Sequence, residues 1–376
     1  MSRPPSLPLV DLKAQYRAIE GEIAEALERV LERQVFINGP ETAAFEAEFA
    51  EACEASDCVA VSNGTTALEL VLKALGVGPG DEVITVSHTF FATVGAILAT
   101  GATPVLIDIE PTSWTMAPAL VAEALSERTK AIVPVHIYGH PADVPAINAA
   151  APMIPIVEDA AQAHLARYHG SAVGSCARAA CFSFYPGKNL GAYGDAGAVV
   201  TSDPELAAEL RALRDHGRTK GAKYEHELLG TNARSAELQA AVLRAKLPHL
   251  SSWTQARQEL AARYEVTLEA RTDLQLQAVK PWAEHARHLF VLLHPERDRL
   301  LAQLNERGIG AGVHYPLACH QQAALTERWR GTKSGLEVTE QVAASCLSLP
   351  LYPELGADGV DRVVAELASL LLAAVA

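Results

Sequence analysis

The sequence lacks the features that mark zinc-binding, membrane-spanning and secreted proteins. Its six cysteines form none of the closely spaced pairs with histidine that structural zinc sites use. No apolar run reaches the ~20 residues needed to cross a bilayer. No N-terminal stretch has the basic start, apolar segment and small-residue cleavage site of a signal peptide. We therefore expect a cytoplasmic protein with buried free thiols, no membrane contact and no metal.

Basic runs are also missing. The chain has 31 lysines and arginines against 45 aspartates and glutamates, which gives a formal net charge of −14. Because no basic patch offers a footprint for nucleic acid, we expect no nucleic-acid partner. An anionic ligand would have to be held by a few local cations, backbone amides and helix ends, since the overall field repels it.

Apolar sequence is abundant. The chain has 376 residues, 49% of them hydrophobic. A chain of this length is longer than one hydrophobic core usually organises. Between about residues 58 and 202, helical patterns alternate with short apolar runs, namely CVAVSN, EVITVS, PVLIDIE, AIVPVHIYG, MIPIVEDAA, ACFSFYP and GAVVTS. This rhythm predicts an α/β fold with a mainly parallel central sheet flanked by helices. We expect a large domain at 1–250, which includes an N-terminal helical segment, and a smaller α+β domain at 251–376.

Three segments could carry chemistry, and the first is SNGTTALEL. A strand runs through a Gly-Thr-Thr turn into an amphipathic helix that should begin near Gly64. The free N–H groups of a first helical turn favour an anion such as phosphate, and a glycine there lets the backbone come close. An ordinary helix cap by Asn63 or Thr65 explains the same pattern.

The second segment is IVEDAAQAH, in which an apolar strand ends in two carboxylates. Asp159 should lie at the carboxyl edge of the sheet, where α/β proteins place their ligands. It could pair there with a cationic ring nitrogen. Alternatively, Glu158 or Asp159 caps a following helix.

The third segment is CFSFYPGKNLGAYGDAGAVV, which places Lys188 in a loop rich in glycine. Most lysines are solvated surface charges. In an enclosed loop, however, loss of water lowers the pKa of a lysine and leaves a neutral amine available for Schiff-base chemistry.

Taken together and in this order, the three segments resemble the sugar aminotransferases of the DegT/DnrJ/EryC1/StrS family, which have the fold of type I pyridoxal-phosphate (PLP) enzymes. The resemblance spans nearly the whole chain and extends to FINGPETAAFEAEFA, RDHGRTKGAKYEHELLGTNARSAELQAAVL and GVHYPLACHQQ. It implies that Lys188 binds PLP covalently and moves a proton during transfer. Asp159 would pair with the ring nitrogen, and Gln162, on the same face if a helix follows, would touch the ring oxygen.

The resemblance also implies further cofactor contacts. Phe90 would stack over the ring, with an ordinary core position as the alternative. Ser183 and the backbone at Gly64 and Thr65 would hold the phosphate, and Asn232 would reach it from a second subunit. The protein would then be a homodimer with shared active sites.

Substrate contacts are expected in two places. The stretch 217–230 offers Lys223 and Tyr224 as a flap for the substrate's diphosphate, or forms a solvated loop. His314 and Tyr315, followed by His320, resemble the sugar-facing segment of members that act on dTDP-linked 3-keto-6-deoxyhexoses. A metal site built from His314, Cys319 and His320 is the alternative there.

Two departures from the family pattern concern packing and substrate. Leu165 stands where many members have glycine, so the turn near the cofactor is bulkier. ACHQQ replaces a proline-containing stretch and leaves the role of His320 open.

The expected reaction passes an amino group from L-glutamate or L-glutamine through the cofactor to a nucleotide-linked keto sugar, with Arg234 as a candidate for the donor carboxylate. Rival interpretations are a 4-keto sugar or keto-cyclitol as acceptor and a non-catalytic PLP-binding sensor. A PLP sugar dehydratase is a further rival, but such members carry histidine at the position of Lys188.

Overall fold

The computed structural model describes residues 6–219 and 224–372. The helices are α1 (Leu12–Ala18), α2 (Glu20–Arg33), α3 (Pro40–Ala52), α4 (Gly64–Ala74), α5 (Phe91–Ala99), α6 (Val121–Ala124), α7 (Val144–Ala150), α8 (Pro204–Leu213), α9 (Glu237–Lys246), α10 (Leu250–Leu268), α11 (Arg297–Glu306), α12 (Glu337–Ser345) and α13 (Gly356–Leu372). The strands are β1 (Asp57–Val61), β2 (Glu82–Val86), β3 (Thr103–Ile107), β4 (Thr129–Val133), β5 (Val157–Asp159), β6 (Arg167–Tyr168), β7 (Ser171–Ala172), β8 (Ala179–Ser183), β9 (Gly197–Thr201), β10 (Gln275–Leu276), β11 (Ala283–Glu284), β12 (Phe290–Leu293) and β13 (Cys346–Leu349).

The seven runs predicted as strands form the central sheet in the order β3-β2-β4-β5-β8-β9-β1. Ladders join the first three strands and the last four, and the parallel bridges Ile132↔Ile156 and Val135↔Asp159 connect the two sets. The pairs β2–β3, β2–β4 and β5–β8 are parallel, while β9 runs antiparallel to both neighbours. The predicted α/β fold with a mainly parallel sheet flanked by helices is confirmed.

Helix α4 shows how the sequence pattern sets the packing. It begins at Gly64, as predicted, and the chain leaves it through Gly76 at φ +72°. Leu68, Val71 and Leu72 recur at helical spacing and are buried in one cluster with strand residues such as Val199. Burying each such side chain contributes about 1.5–3 kcal/mol, so this face fixes the helix against the sheet.

A second, antiparallel sheet of β10, β12 and β13 lies in the C-terminal part. It packs with α10, α11 and α13 in a cluster that includes Tyr264, Phe290 and Leu367. The N-terminal segment reaches this part, because Leu7 exchanges backbone hydrogen bonds with Gly308 and Gly310 at 2.8 and 2.7 Å. The division at residue 250 stays a prediction.

The condition attached to Gln162 is not met, because no helix begins directly after Asp159: residues 160–170 contain turns and the short strand β6. The chain instead makes two consecutive turns, closed by Ala163 N–H to Ala160 C=O at 2.9 Å and Ala166 N–H to Ala163 C=O at 3.0 Å. Leu165 adopts φ +59°, a left-handed conformation that a right-handed helix cannot continue through. This is the position where the family favours glycine, the residue with no steric cost there.

None of the helices within residues 6–219 and 224–372 combines the length and the apolar character that a bilayer crossing requires.

Candidate active site

A cavity of about 820 Å³ opens where the central strands end. The segments after β1, β2, β4, β5 and β8 all reach it, as expected for a ligand site at the carboxyl edge of a parallel sheet. Most of the predicted site residues line it, namely Gly64, Thr65, Phe90, Asp159, Gln162, Ser183, Lys188, His314 and Tyr315. The fold therefore brings together residues that are up to 251 positions apart in sequence.

Lys188 is half-buried in the cavity wall. A tight turn presents it, closed by its own N–H donating to the Tyr185 carbonyl at 2.8 Å. The turn needs glycine, because a Cβ on Gly191 would lie 2.2 Å from the Pro186 carbonyl oxygen. Burial lowers the pKa of Lys188 to about 8, while the negative charge of Asp159 opposes that shift. The surroundings thus give Lys188 a larger neutral fraction than a solvated lysine has.

Asp159 ends β5 with its carboxylate held on two sides. The Thr93 hydroxyl donates to Oδ2 at 2.7 Å, and the Ala161 N–H donates to Oδ1 at 3.2 Å. The Thr93 hydroxyl also lies 2.7 Å from that of Thr89. These contacts fix the orientation of the carboxylate, and Asp159 does not cap a helix.

Gln162 reaches the cavity from the turns that follow β5. Its amide oxygen accepts the backbone N–H of Tyr138 at 2.5 Å, and its Nε2 donates to the Tyr315 hydroxyl at 3.1 Å. Both ends of the amide are therefore fixed without a helix.

The start of α4 forms an anion cradle. Asn63 caps the helix by accepting the Thr66 N–H at 2.8 Å, so the amides of Gly64 and Thr65 have no acceptor within the helix. Ser183 lies against this turn, since a Cβ on Gly64 would be 2.7 Å from the Ser183 Cβ. The cap by Asn63 therefore leaves the amides of Gly64 and Thr65 available, and the anion site stays a prediction.

Two aromatic rings face each other at the cavity. Phe90 is 57% exposed and its ring centroid lies 5.5 Å from that of Tyr315. Phe90 is therefore not a core residue, which leaves it free to cover a bound ring.

His314 lines the cavity as an uncharged imidazole. Burial, assisted by the positive charge of Lys188, lowers its pKa to about 4. Its Nδ1 lies 2.8 Å from the Ser348 hydroxyl, which orients the ring. His314 can thus exchange hydrogen bonds with a neutral hydroxyl at physiological pH.

His320 is not among the residues that line the cavity. Its Nδ1 lies 2.8 Å from the Ser87 hydroxyl and its Nε2 lies 3.0 Å from Glu340. The Cys319 thiol is directed to the Thr89 carbonyl at 3.6 Å. Within residues 6–219 and 224–372, no group of three or more His, Cys, Asp and Glu side chains is arranged to hold a metal.

The predicted flap and inter-subunit residues lie apart from this cavity. Asn232 is exposed, and its side-chain oxygen accepts the Arg234 Nε–H at 3.0 Å. Tyr224 is 81% exposed and does not line the cavity. Lys223 lies outside the described residues.

Several wall residues were missed by the sequence argument. The structure adds His288, Leu9 and Asp195 to the lining, and it places the buried Tyr138 directly behind Gln162. Tyr138 belongs to the VHIYG run at the end of β4, so its position after a predicted strand was the available signal.

The cavity residues fit pyridoxal phosphate. One wall presents an anion cradle, a lysine with a lowered pKa and a fixed carboxylate, which match the phosphate, the carbonyl carbon and the ring nitrogen of that group.

Comparisons with known proteins point the same way. The family described as the DegT/DnrJ/EryC1/StrS aminotransferase family matches residues 17–368. The chain is 49% identical over 364 residues to the "erythromycin biosynthesis sensory transduction protein EryC1" of Saccharopolyspora erythraea, covering 96% of this chain and 98% of that protein. It is 46% identical over 362 residues to the "dTDP-3-amino-3,4,6-trideoxy-alpha-D-glucose transaminase" of Streptomyces venezuelae, covering 96% and 95%. The solved structure of S. venezuelae DesV superposes with a TM-score of 0.94 at 45% identity, covering 97% of this chain and 98% of that one.

Proposed function

The chain belongs to the DegT/DnrJ/EryC1/StrS aminotransferase family, and from that premise we propose that it aminates a nucleotide-linked keto sugar with L-glutamate or L-glutamine as donor. It is an aminotransferase whose cofactor is pyridoxal phosphate. The expected acceptor is a dTDP-linked 3-keto-6-deoxyhexose. The observation that carries the proposal is the meeting of Lys188, Asp159 and the α4 anion cradle in one cavity.

Each of these groups has a distinct task. Bound pyridoxal phosphate supplies an electron-accepting ring that stabilises negative charge at the donor carbon. Lys188 holds the cofactor and then, as a free amine, carries the proton between the donor carbon and the cofactor. Asp159 keeps the ring nitrogen protonated because a carboxylate favours a cation beside it. The first-turn amides of α4 and the Ser183 hydroxyl bind the phosphate.

Support for a sugar acceptor comes from two further residues that line the cavity. His314 is uncharged and Tyr315 presents a hydroxyl, so both can exchange hydrogen bonds with sugar hydroxyls. The S. venezuelae relative, at 46% identity, is named for a dTDP-linked 3-amino sugar, which favours the C3 ketone over the C4 ketone.

We include a homodimer with shared sites in the proposal. Neither Asn232 nor Arg234 lines the cavity of its own chain, and exposed apolar side chains at Val35, Phe36 and Ile37 offer a surface for a second copy. Among the described residues that line the cavity none is an arginine, so a cation for the donor carboxylate has to come from elsewhere. Arg234 of a partner subunit is our candidate. Lys223 and Tyr224 remain proposed contacts to the diphosphate.

Further parts of the proposal concern organisation and location. We divide the chain into a large domain at 1–250 and a small one at 251–376, with α10 opening the second. The six cysteines are free, which suits a reducing compartment and therefore the cytoplasm.

The absorbance spectrum of the protein loaded with PLP tests the first half of the reaction. Wild type should show the visible band of the lysine-bound cofactor, and L-glutamate or L-glutamine should convert it to the band of the aminated cofactor. Lys188→Ala should lack the first band, whereas Lys130→Ala, which removes an exposed lysine of β4, should retain it. A wild-type band that ignores both donors would refute the aminotransferase mechanism.

A second candidate is a non-catalytic sensor that binds the cofactor without turnover. It is favoured by one observation, namely that the relative at 49% identity is named a sensory transduction protein. The same spectra separate the two, because a sensor would bind PLP but not convert it. A 4-keto sugar or a keto-cyclitol as acceptor would share the first half-reaction and differ only in the second.

A further inference from the structure

Tyr138 is a buried residue with an unusual backbone next to the cavity. It lies in the turn after β4, is 0% exposed, and adopts φ +61° and ψ +4°. A bulky residue in this left-handed region carries a steric cost, and such conformations persist only where the surrounding contacts impose them. The hydrogen bonds that Tyr138 makes account for its left-handed backbone conformation.

Each polar group of Tyr138 holds a different part of the cavity wall. Its N–H donates to the Gln162 side-chain oxygen at 2.5 Å. Its carbonyl accepts the backbone N–H groups of His288 and Leu289 at 2.9 and 3.3 Å. Its hydroxyl donates to the His314 carbonyl. One residue thus contacts three separate segments that line the cavity.

These contacts close into a ring. The Tyr138 N–H donates to Gln162, and Gln162 donates to the Tyr315 hydroxyl at 3.1 Å. The Tyr138 hydroxyl closes the ring by donating to the carbonyl of His314, the residue before Tyr315. Because each member restrains the next, the Gln162 amide cannot turn without disturbing the His314–Tyr315 segment.

His88 adds one more hydrogen bond to Tyr138 and is not itself part of the closed set of hydrogen bonds. Its Nε2 lies 2.7 Å from the Tyr138 hydroxyl. That hydroxyl has only one proton, which the His314 carbonyl must receive, so Nε2 of His88 carries a hydrogen and donates. Burial lowers the pKa of His88 to about 4, which keeps the ring neutral and the tautomer fixed near neutral pH.

We propose that Tyr138 is a positioning residue that sets the Gln162 amide and the His314–Tyr315 segment in one fixed relation, and thereby orients the acceptor for amination. This inference deepens the proposed function and rests on it. Tyr138 does not line the cavity itself, so it acts through the residues that do.

The test is Tyr138→Phe, which keeps the buried ring and the backbone contacts but removes the hydroxyl. The His314 carbonyl then loses its donor, while Gln162 keeps the Tyr138 N–H. We expect kcat/KM for the keto-sugar half-reaction to fall roughly 10- to 100-fold, the effect of one unsatisfied buried partner. PLP affinity and the rate with L-glutamate should stay within about threefold, because the contacts of Lys188 and Asp159 are untouched.

Tyr264→Phe is the matched control. Tyr264 is also 0% exposed, and its hydroxyl donates to the Pro350 carbonyl at 3.0 Å in the C-terminal part. It loses the same group in a comparable environment, so it should lower the thermal midpoint without changing either half-reaction. A drop in both variants would mean that Tyr138 serves stability alone and would overturn the proposal.

A crystal structure of Tyr138→Phe gives a readout that does not depend on turnover. We expect a displaced His314 carbonyl and a reoriented Tyr315 hydroxyl, and unchanged positions of both would overturn the proposal. If the wild-type enzyme aminates no keto sugar, the proposed function fails, and this structural comparison still decides whether Tyr138 positions the segment. If Tyr138→Phe does not fold, His88→Phe removes the donor to the Tyr138 hydroxyl but leaves that hydroxyl bonded to the His314 carbonyl. It should therefore show a smaller loss, again confined to the keto-sugar half-reaction, and equal losses in both half-reactions would refute positioning.

Discussion

At Lys188, burial and a nearby charge act in opposite directions on one amine. Burial lowers its pKa from 10.5 to about 8, and Asp159 resists the change. At pH 7 the neutral fraction is therefore roughly 300-fold larger than for a solvated lysine. Only the neutral amine attacks a carbonyl. The larger neutral fraction of Lys188 therefore fits the Schiff-base role proposed for it from the sequence.

This balance predicts the pH dependence of cofactor capture. The rate at which the cofactor-free protein binds PLP covalently should rise with pH through a midpoint near 8. Asp159→Asn should move the midpoint downward, because removing a negative charge disfavours the ammonium form. Stopped-flow absorbance measures both.

Asp195→Asn is the control, since Asp195 also lines the cavity but is exposed. It should leave the midpoint near 8. A midpoint near 10 in the wild type, or an upward shift in Asp159→Asn, would contradict this account of Lys188.

Local patterns and family resemblance together predicted Lys188 and Asp159 as cofactor contacts, but gave no role to Tyr138. The first two stand in recognisable segments at the ends of strands. The importance of Tyr138 depends on partners that are 24 and 176 positions away, at Gln162 and His314. No local pattern encodes such distant pairings, so only the folded structure identifies them.

At the scale of elements, the start of α4 is both a capped helix end and the proposed phosphate site. The helix cap, the free amides and the neighbouring Ser183 all meet at Gly64, and the sequence predicted both the helix start and the anion site. The turns after β5 were not predicted, because the alanine-rich run that follows Asp159 also suits a helix. The left-handed backbone of Leu165 decides against it.

Gly64→Ala tests this junction. The new Cβ would lie 2.7 Å from the Ser183 Cβ, so the strand or the helix must shift where the phosphate binds. Overpacking of this kind costs about 1–3 kcal/mol, and we expect PLP affinity to fall about tenfold or more. Equilibrium titration of the cofactor-free protein by absorbance gives the affinity.

Gly21→Ala is the matched substitution in α2, where a Cβ meets nothing within 4 Å. It should leave PLP affinity unchanged and hold or raise stability, because alanine is favoured over glycine in helices by about 1 kcal/mol. Equal affinities for the two variants would show that Gly64 is not needed at the cradle.

For the whole molecule, the arrangement of the chain leaves one of the proposed phosphate contacts outside the cavity. Asn232 is exposed while the other proposed phosphate contacts line the cavity, which is the pattern expected if two copies complete each other's sites. The sequence could predict this only through the family resemblance, because a single chain gives no physical record of its partner.

Hybrid dimers test the shared site. Lys188→Ala and Asn232→Ala should each be nearly inactive at limiting cofactor. If each site takes Lys188 from one subunit and Asn232 from the other, each hybrid regains one intact site. Mixing equal amounts with subunit exchange should then restore about a quarter of wild-type activity. No recovery beyond the sum of the separate variants would place both residues in the same subunit's site.

The most direct test of the central claim is the transfer of nitrogen itself. The PLP-loaded enzyme would be incubated with L-glutamate labelled with ¹⁵N on its amino group and a dTDP-linked 3-keto-6-deoxyhexose, and the nucleotide sugar analysed by mass spectrometry. The account predicts an amino sugar nucleotide that carries the label, formed by wild type and not by Lys188→Ala. The contrary result is a nucleotide sugar that carries no label after incubation with wild type, although glutamate converts the cofactor. It would contradict amination of this acceptor.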